Sequence, residues 1–229
     1  MKKRLLWRLI SLVVALAIFA IIELTGNGGS NPEKLSRTLA QGELDITFKG
    51  TVTQKYLDVL SEKRSAETIK ETHRQDILGE IKYFFNYFRF DDEIRKQKEP
   101  ELIEAFNRIY ANANYKVVKS EKKDNVIKVS VELQPLNTMI EFEEEFNKIL
   151  TEMNNDYKSG KLKGTETELN KKLTNKSLEK FFEISKKPIN LQDSRTITLT
   201  VNKLKTGHYQ VDSKSLTNVI SEVVPYKSK

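Results

Sequence analysis

The stretch richest in functional side chains is Tyr83-Phe84-Phe85-Asn86-Tyr87-Phe88-Arg89-Phe90, where six of eight residues are aromatic. On a helix, Phe84, Phe85 and Phe88 share an inner stripe, which leaves Tyr83, Tyr87 and Phe90 near its flanks. The plainest reading is core packing against a neighbouring helix. Tyrosine, however, joins a flat apolar ring to a polar tip, so Tyr83, Tyr87 and Phe90 are the candidates for a pocket wall or a partner surface. His73 joins them, between Ile69 and Ile77 on the same apolar stripe. A histidine so placed reads first as a structural residue with satisfied nitrogens, and second as a base beside a pocket.

Other chemistry is sparse. The chain holds two histidines and no cysteine, which removes disulfides, thiolate zinc sites and a thiol nucleophile. His208 lies by a turn and reads as solvent-facing. A zinc site from these two histidines would need carboxylates from distant parts of the chain, so neither a metal nor a cofactor is expected. Asp91-Asp92-Glu93 and Glu141-Phe142-Glu143-Glu144-Glu145 lack the alternating oxygens of a calcium loop. The second run reads as the solvated face of a helix start, where the helix dipole favours acids. The lysines of residues 158–163 and Lys171-Lys172 read as loop and helix surface. Nucleophile-elbow, phosphate-loop and dinucleotide-glycine patterns do not occur, and catalytic residues are therefore not assigned.

The elements that must position these residues begin with an apolar segment. Met1-Lys2-Lys3-Arg4 precedes Leu5-Leu6-Trp7-Arg8, and an uncharged run follows from Leu9 to Ile22 before Glu23. Residues 5–24 match a hydrocarbon core of ~30 Å. The basic residues in front of the run keep the N-terminus cytoplasmic, and Trp7 sits where an interfacial aromatic belongs. The reading is an uncleaved signal-anchor over 1–24, single-pass, with the remainder on the extracytoplasmic side. A cleaved signal peptide is the competing reading, because the uncharged core is short.

Residues 1–24 carry +3 of the net +7, so the rest of the chain is only mildly basic. That argues against a nucleic-acid partner and reads as a soluble surface more readily than as attraction to an anionic one. With 229 residues, of which 38% are hydrophobic and 31% charged, the chain is too apolar to be disordered and long enough for one or two domains.

Gly26 to Pro32 reads as a spacer, and 25–50 as linker plus a weakly patterned piece: Leu35 and Leu39 suggest a short helix, and the alternation of Leu44, Ile46 and Phe48 an extended segment. From residue 51 the period turns helical. Tyr56 to Leu60 form a short helix, and residues 65–89 a long amphipathic one. Pro100 opens another, ended by Asn112 and Asn114. The period then changes to two. Residues 115–120 and 127–133 flank the turn Lys122-Lys123-Asp124-Asn125, and Pro135 stops the second strand.

Thr138 with Glu141, and Thr165 with Glu168, have the capping-box spacing of two further helices. The second of these has a possible break near Asn175. Ile197, Leu199 and Val201 alternate with Thr196, Thr198 and Thr200. The turn Lys205-Thr206-Gly207 leads back through Tyr209 and Val211. Asp212 or Ser213 then caps a last helix ended by Pro225. The fold class is α+β: helices packed on a curved antiparallel sheet built from two β-hairpins. The domain spans 51–224, and 225–229 is a tail.

The strand Arg195 to Leu204, its turn, and His208-Tyr209-Gln210-Val211-Asp212 before a short helix resemble a family. They are similar to the uncharacterised extracytoplasmic domains of Gram-positive lipoproteins and membrane-anchored proteins, which have a nuclear-transport-factor-two-like α+β cone. The resemblance covers residues 51–224. It implies a concave sheet wrapped by helices, sometimes around a pocket, and it implies no activity. Many relatives carry a lipidated cysteine after the signal; with none here, the resemblance implies a protein helix in place of the lipid tether.

The expected function is a membrane-anchored extracytoplasmic binding or interaction domain, non-enzymatic. Its partners would be the membrane through residues 5–24 and an envelope protein or a small apolar ligand. An envelope enzyme using a cone pocket, or an assembly factor for a membrane complex, are the alternatives.

Overall fold

The computed structural model describes residues 31–60, 65–205 and 207–227. The expected transmembrane helix over 5–24 and Thr206 of the second turn lie outside the described residues. Among the described residues, no helix is long and apolar enough to cross a membrane.

The first described element corrects an expectation. Pro32–Lys49 is one helix, α1, with no extended piece. Asn31 caps it by accepting from Glu33 N at 2.9 Å, and Gly50 ends it in the left-handed region at φ 61°. Leu44, Ile46 and Phe48 alternate in sequence, yet all are buried in the helix. The reason is that α1 is embedded. It touches all four strands of the sheet as well as three helices, so it is buried nearly all round, polar Ser36, Thr38, Glu43 and Thr47 included, and the apolar 3.6-residue period is blurred.

Gln54–Leu57 forms the short α2, and Ala66–Phe88 the long α3, capped by Ser65. Residues Asp92–Gln97 form α4, which the sequence reading did not separate from a surface acidic run. Asp91 is its cap, accepting from Glu93 N at 3.0 Å and Ile94 N at 3.3 Å. Glu99–Ala111 is α5.

The two expected hairpins are present and merge into one antiparallel sheet. Its strands are β1 (Asn114–Lys123), β2 (Val126–Gln134), β3 (Arg195–Lys203) and β4 (Tyr209–Val211), in the order β1-β2-β3-β4. The joining pair is β2 with β3, where Val129 faces Leu199 and Val131 faces Ile197. Val129, Val131, Leu133, Leu199 and Val201 point inward, while Lys128, Ser130, Glu132, Thr198 and Thr200 lie on the wet face. A bulge between Val117 and Lys119 leaves Val118 46% exposed.

Thr138–Lys158 is α6, Glu166–Ser185 is α7, and Ser213–Val223 is α8. The capping box expected at Thr138 and Glu141 does not form. The cap residue is Asn137, and Glu141 instead accepts from the amides of Asn137 at 3.1 Å and Asn190 at 3.2 Å. The box at Thr165 and Glu168 does form, and α7 runs unbroken through Asn175. Thr165→Ala is expected to cost about 1 kcal/mol through loss of the bond from Glu168 N to Thr165 Oγ1. Chemical denaturation measures it.

The centre is solid. Phe84 lies 4.7 Å from Phe181, 5.3 Å from Phe142 and 5.6 Å from Phe106, centroid to centroid, and all four rings have 0% exposure. Such tilted and edge-on rings interlock side chains from α3, α5, α6 and α7. The fold class is therefore α+β, with helices against a four-stranded antiparallel sheet.

Candidate functional site

A concavity lies away from the sheet, among helices. The second half of α6 and the first half of α7 form a helical hairpin joined by residues 159–165, and the end of α3 closes its base. Between them lies a groove of about 960 Å³, open to solvent. Phe88 and Phe146 form its buried floor, and Leu150, Met153, Leu162, Leu169 and Leu173 its half-buried walls. The loop crosses from α6 to α7 through Gly160 at φ 75° and Gly164 at φ 148°, and Gly164 lines the groove.

The rim is polar and aromatic. Tyr157 is 56% exposed and presents its ring at the groove mouth. Arg89, the exposed cap residue of α3, also lines the groove and lies in the left-handed region at φ 58°. A non-glycine residue held there is uncommon. Its guanidinium makes no hydrogen bond or ion pair with any described residue. Asn154, Glu166 and Asn170 complete the rim. This arrangement can accept a flat or branched apolar group and bond to polar atoms attached to it.

The four residues singled out from sequence do not converge. Tyr87 lines the groove. Tyr83 does not; it packs 5.9 Å from Tyr87 and edge-on to Tyr226 at 5.2 Å. Tyr226 in turn reaches Glu80 at 2.9 Å, and Tyr87 donates to Lys227 O at 2.6 Å, so these tyrosines hold the C-terminal segment on α3. Phe90 is no flank residue. It is buried, stacked at 5.4 Å on Phe88. His73 lies at a different seam, with Nδ1 at 3.1 Å from Thr47 O and Nε2 at 3.1 Å from Asn107 Oδ1. Both nitrogens are thus used to tie α3 to α1 and α5. His208 is half-buried rather than solvent-facing.

The acidic run at the start of α6 is also partly corrected. Glu143 is 5% exposed and accepts from Lys227 N at 3.1 Å. A second buried acid sits where α3 meets α1. Asp76 is 4% exposed, and its Oδ1 has no hydrogen-bond partner. Burial, and then the nearby carboxylate of Glu43, push Asp76 up to about 7. Glu43 itself accepts from Tyr56 OH at 2.6 Å. No group of three or more metal-ligating side chains occurs among the described residues.

Sequence reasoning missed the groove because leucines at helical spacing serve a core and a groove alike. The usable signal was Tyr157, a large ring at a helix end with a glycine-bracketed loop beside it. For Asp76, the signal was an acid three residues after His73 on an otherwise apolar stripe.

The fold defines an α+β domain, and one solved structure shares it. That is the crystal structure of a "putative lipoprotein (ycdA)" from Bacillus subtilis, with a TM-score of 0.51 and 11% sequence identity, covering 84% of this chain. The chain spans 56% of that protein's length. At such identity the likeness concerns the fold alone. No protein-family model matches the chain, and no curated protein matches it.

Proposed function

We propose that this chain is a membrane-tethered extracytoplasmic domain that binds, without chemistry, a partner's apolar group or a small apolar molecule in the α3–α6–α7 groove. The observation that carries the reading is the groove itself: an open apolar trough with a polar rim, set beside a filled core. Three further points support it. The apolar run of residues 5–24 supplies a tether with the domain outside the cytoplasm. The fold is shared with a protein described as a putative lipoprotein. His73, the side chain best suited to act as a base, has both nitrogens in structural bonds.

Leu150→Arg tests the groove. The substitution places a charge on a half-buried wall of α6, where a long side chain can reach solvent and leave the fold intact. Fluorescence titration with an anilinonaphthalene dye should show binding by the parent chain and at least a tenfold weaker affinity in the variant. Circular dichroism melting checks the fold. Equal dye binding by both chains would remove the groove from the account.

A further inference from the structure

The start of α1 is held against one end of the sheet. Ser120 Oγ donates to Glu33 O at 2.9 Å, Arg37 donates to Ser120 Oγ at 2.8 Å, and Lys122 N donates to Glu33 Oε1 at 3.3 Å. The second hairpin closes on the same end, where Lys203 N donates to Asn125 O at 3.2 Å. The start of α1, the β1–β2 turn and the end of β3 therefore lie together.

Lysine dominates this end. Lys34, Lys119, Lys122, Lys123, Lys203 and Lys205 are all exposed. Lys123 lies 4.0 Å from Glu121; the other five form no ion pair with any described residue. Glu33, Glu121 and Asp124 are the carboxylates at this end, so the six lysines and Arg37 set seven positive charges against three negative ones. The whole chain after residue 24 carries only +4. A local excess of this size matches the whole of that modest net charge.

We propose that this end is a membrane-facing surface, which docks on the anionic bilayer that holds the N-terminal apolar segment. The inference rests on the tethered reading above. By sequence, seven uncharged residues separate Leu24 from Pro32. A glycine-rich spacer of that length has an r.m.s. span of roughly 15 Å, against a Debye length of about 10 Å at 0.1 M salt. The tether therefore keeps the lysines within reach of headgroup charge and supplies a high local concentration of surface. The wet face of the sheet, lined by threonines of β3, would stand beside this contact rather than within it.

The test uses the full chain in nanodiscs. With no native cysteine, Asn125→Cys carries a single fluorescent donor at the β1–β2 turn, and an acceptor dye sits on the lipid headgroups. Energy transfer should be several-fold greater in phosphatidylglycerol discs than in phosphatidylcholine discs. It should fall at high salt and in K122E/K123E/K203E. A milder K122Q/K123Q/K203Q chain should lie between, and circular dichroism confirms that both variants fold. Equal transfer in the two lipids, with the chain still embedded, would overturn the docking surface and leave the tether intact. A chain that does not enter the discs at all would overturn the tether, and this inference with it.

Discussion

Gly42→Ala is expected to destabilise the protein by about 2–3 kcal/mol, the upper part of the overpacking range, and larger side chains at this position by more. Gly42 lies inside α1 with the ring of Tyr56 flat against it. A Cβ there would stand 1.8 Å from Tyr56 Cδ2 and 2.3 Å from Tyr56 Cγ. The inner ring carbon cannot swing aside as a flexible tip would. Tyr56 is fully buried, and its hydroxyl is committed to Glu43 at 2.6 Å. Helix propensity works the other way, since alanine is favoured over glycine by about 1 kcal/mol within a helix, so an increase in stability would refute the close contact. Urea denaturation of the two chains decides. The double variant Gly42→Ala with Tyr56→Ala should lose less than the sum of the two single changes, because the clash disappears with the ring.

The second large effect has the opposite sign. Asp76→Asn is expected to stabilise the protein at pH 8 by about 2–4 kcal/mol. Asp76 is buried with an unpartnered oxygen and faces Glu43, so its folded value of about 7 stands well above the ordinary aspartate value of 3.8. A carboxyl raised on folding binds more protons in the folded state. Stability is then greatest below about pH 4, declines as pH rises from there, and has lost this contribution once pH passes about 7. Asparagine cannot ionise and its amide can donate to the Glu43 carboxylate. The variant should therefore show a flatter profile and little change at pH 4. Urea midpoints across this range measure it; equal destabilisation at every pH would show that the carboxylate is needed as an ion.

These two sites also show what the amino-acid pattern could and could not convey. The hairpins were legible because Ile127, Val129, Val131 and Leu133 alternate with polar residues on a sheet with one wet face. The long α3 was legible from its single apolar stripe. Helix α1 was not, because a helix enclosed on most sides buries polar residues such as Ser36, Thr38, Glu43 and Thr47 among its apolar ones, which breaks the apolar period. Its Leu44, Ile46 and Phe48 mimic a strand.

Thr138 and Thr165 have the same capping spacing, but only Thr165 is a cap residue; Thr138 is already the first residue of its helix. At the other, Asn137 takes the cap position and Asn190 draws Glu141 away. The groove depends on the space left between α6 and α7, a tertiary property that Leu150 and Leu169 do not reveal one at a time. Of the sequence candidates, Tyr87 reached the groove, since residue 87 falls on the turn of α3 beside Arg89. His73 and Phe90 were claimed by packing.

The central claim is that the folded part of the chain lies outside the membrane, on an N-terminal tether. Tyr157→Cys in the full chain gives one thiol at the exposed groove rim of a protein with no other cysteine. Intact cells would be treated with a membrane-impermeant maleimide, before and after the membrane is broken. The account predicts full labelling of intact cells. Labelling that appears only after the membrane is opened would contradict it.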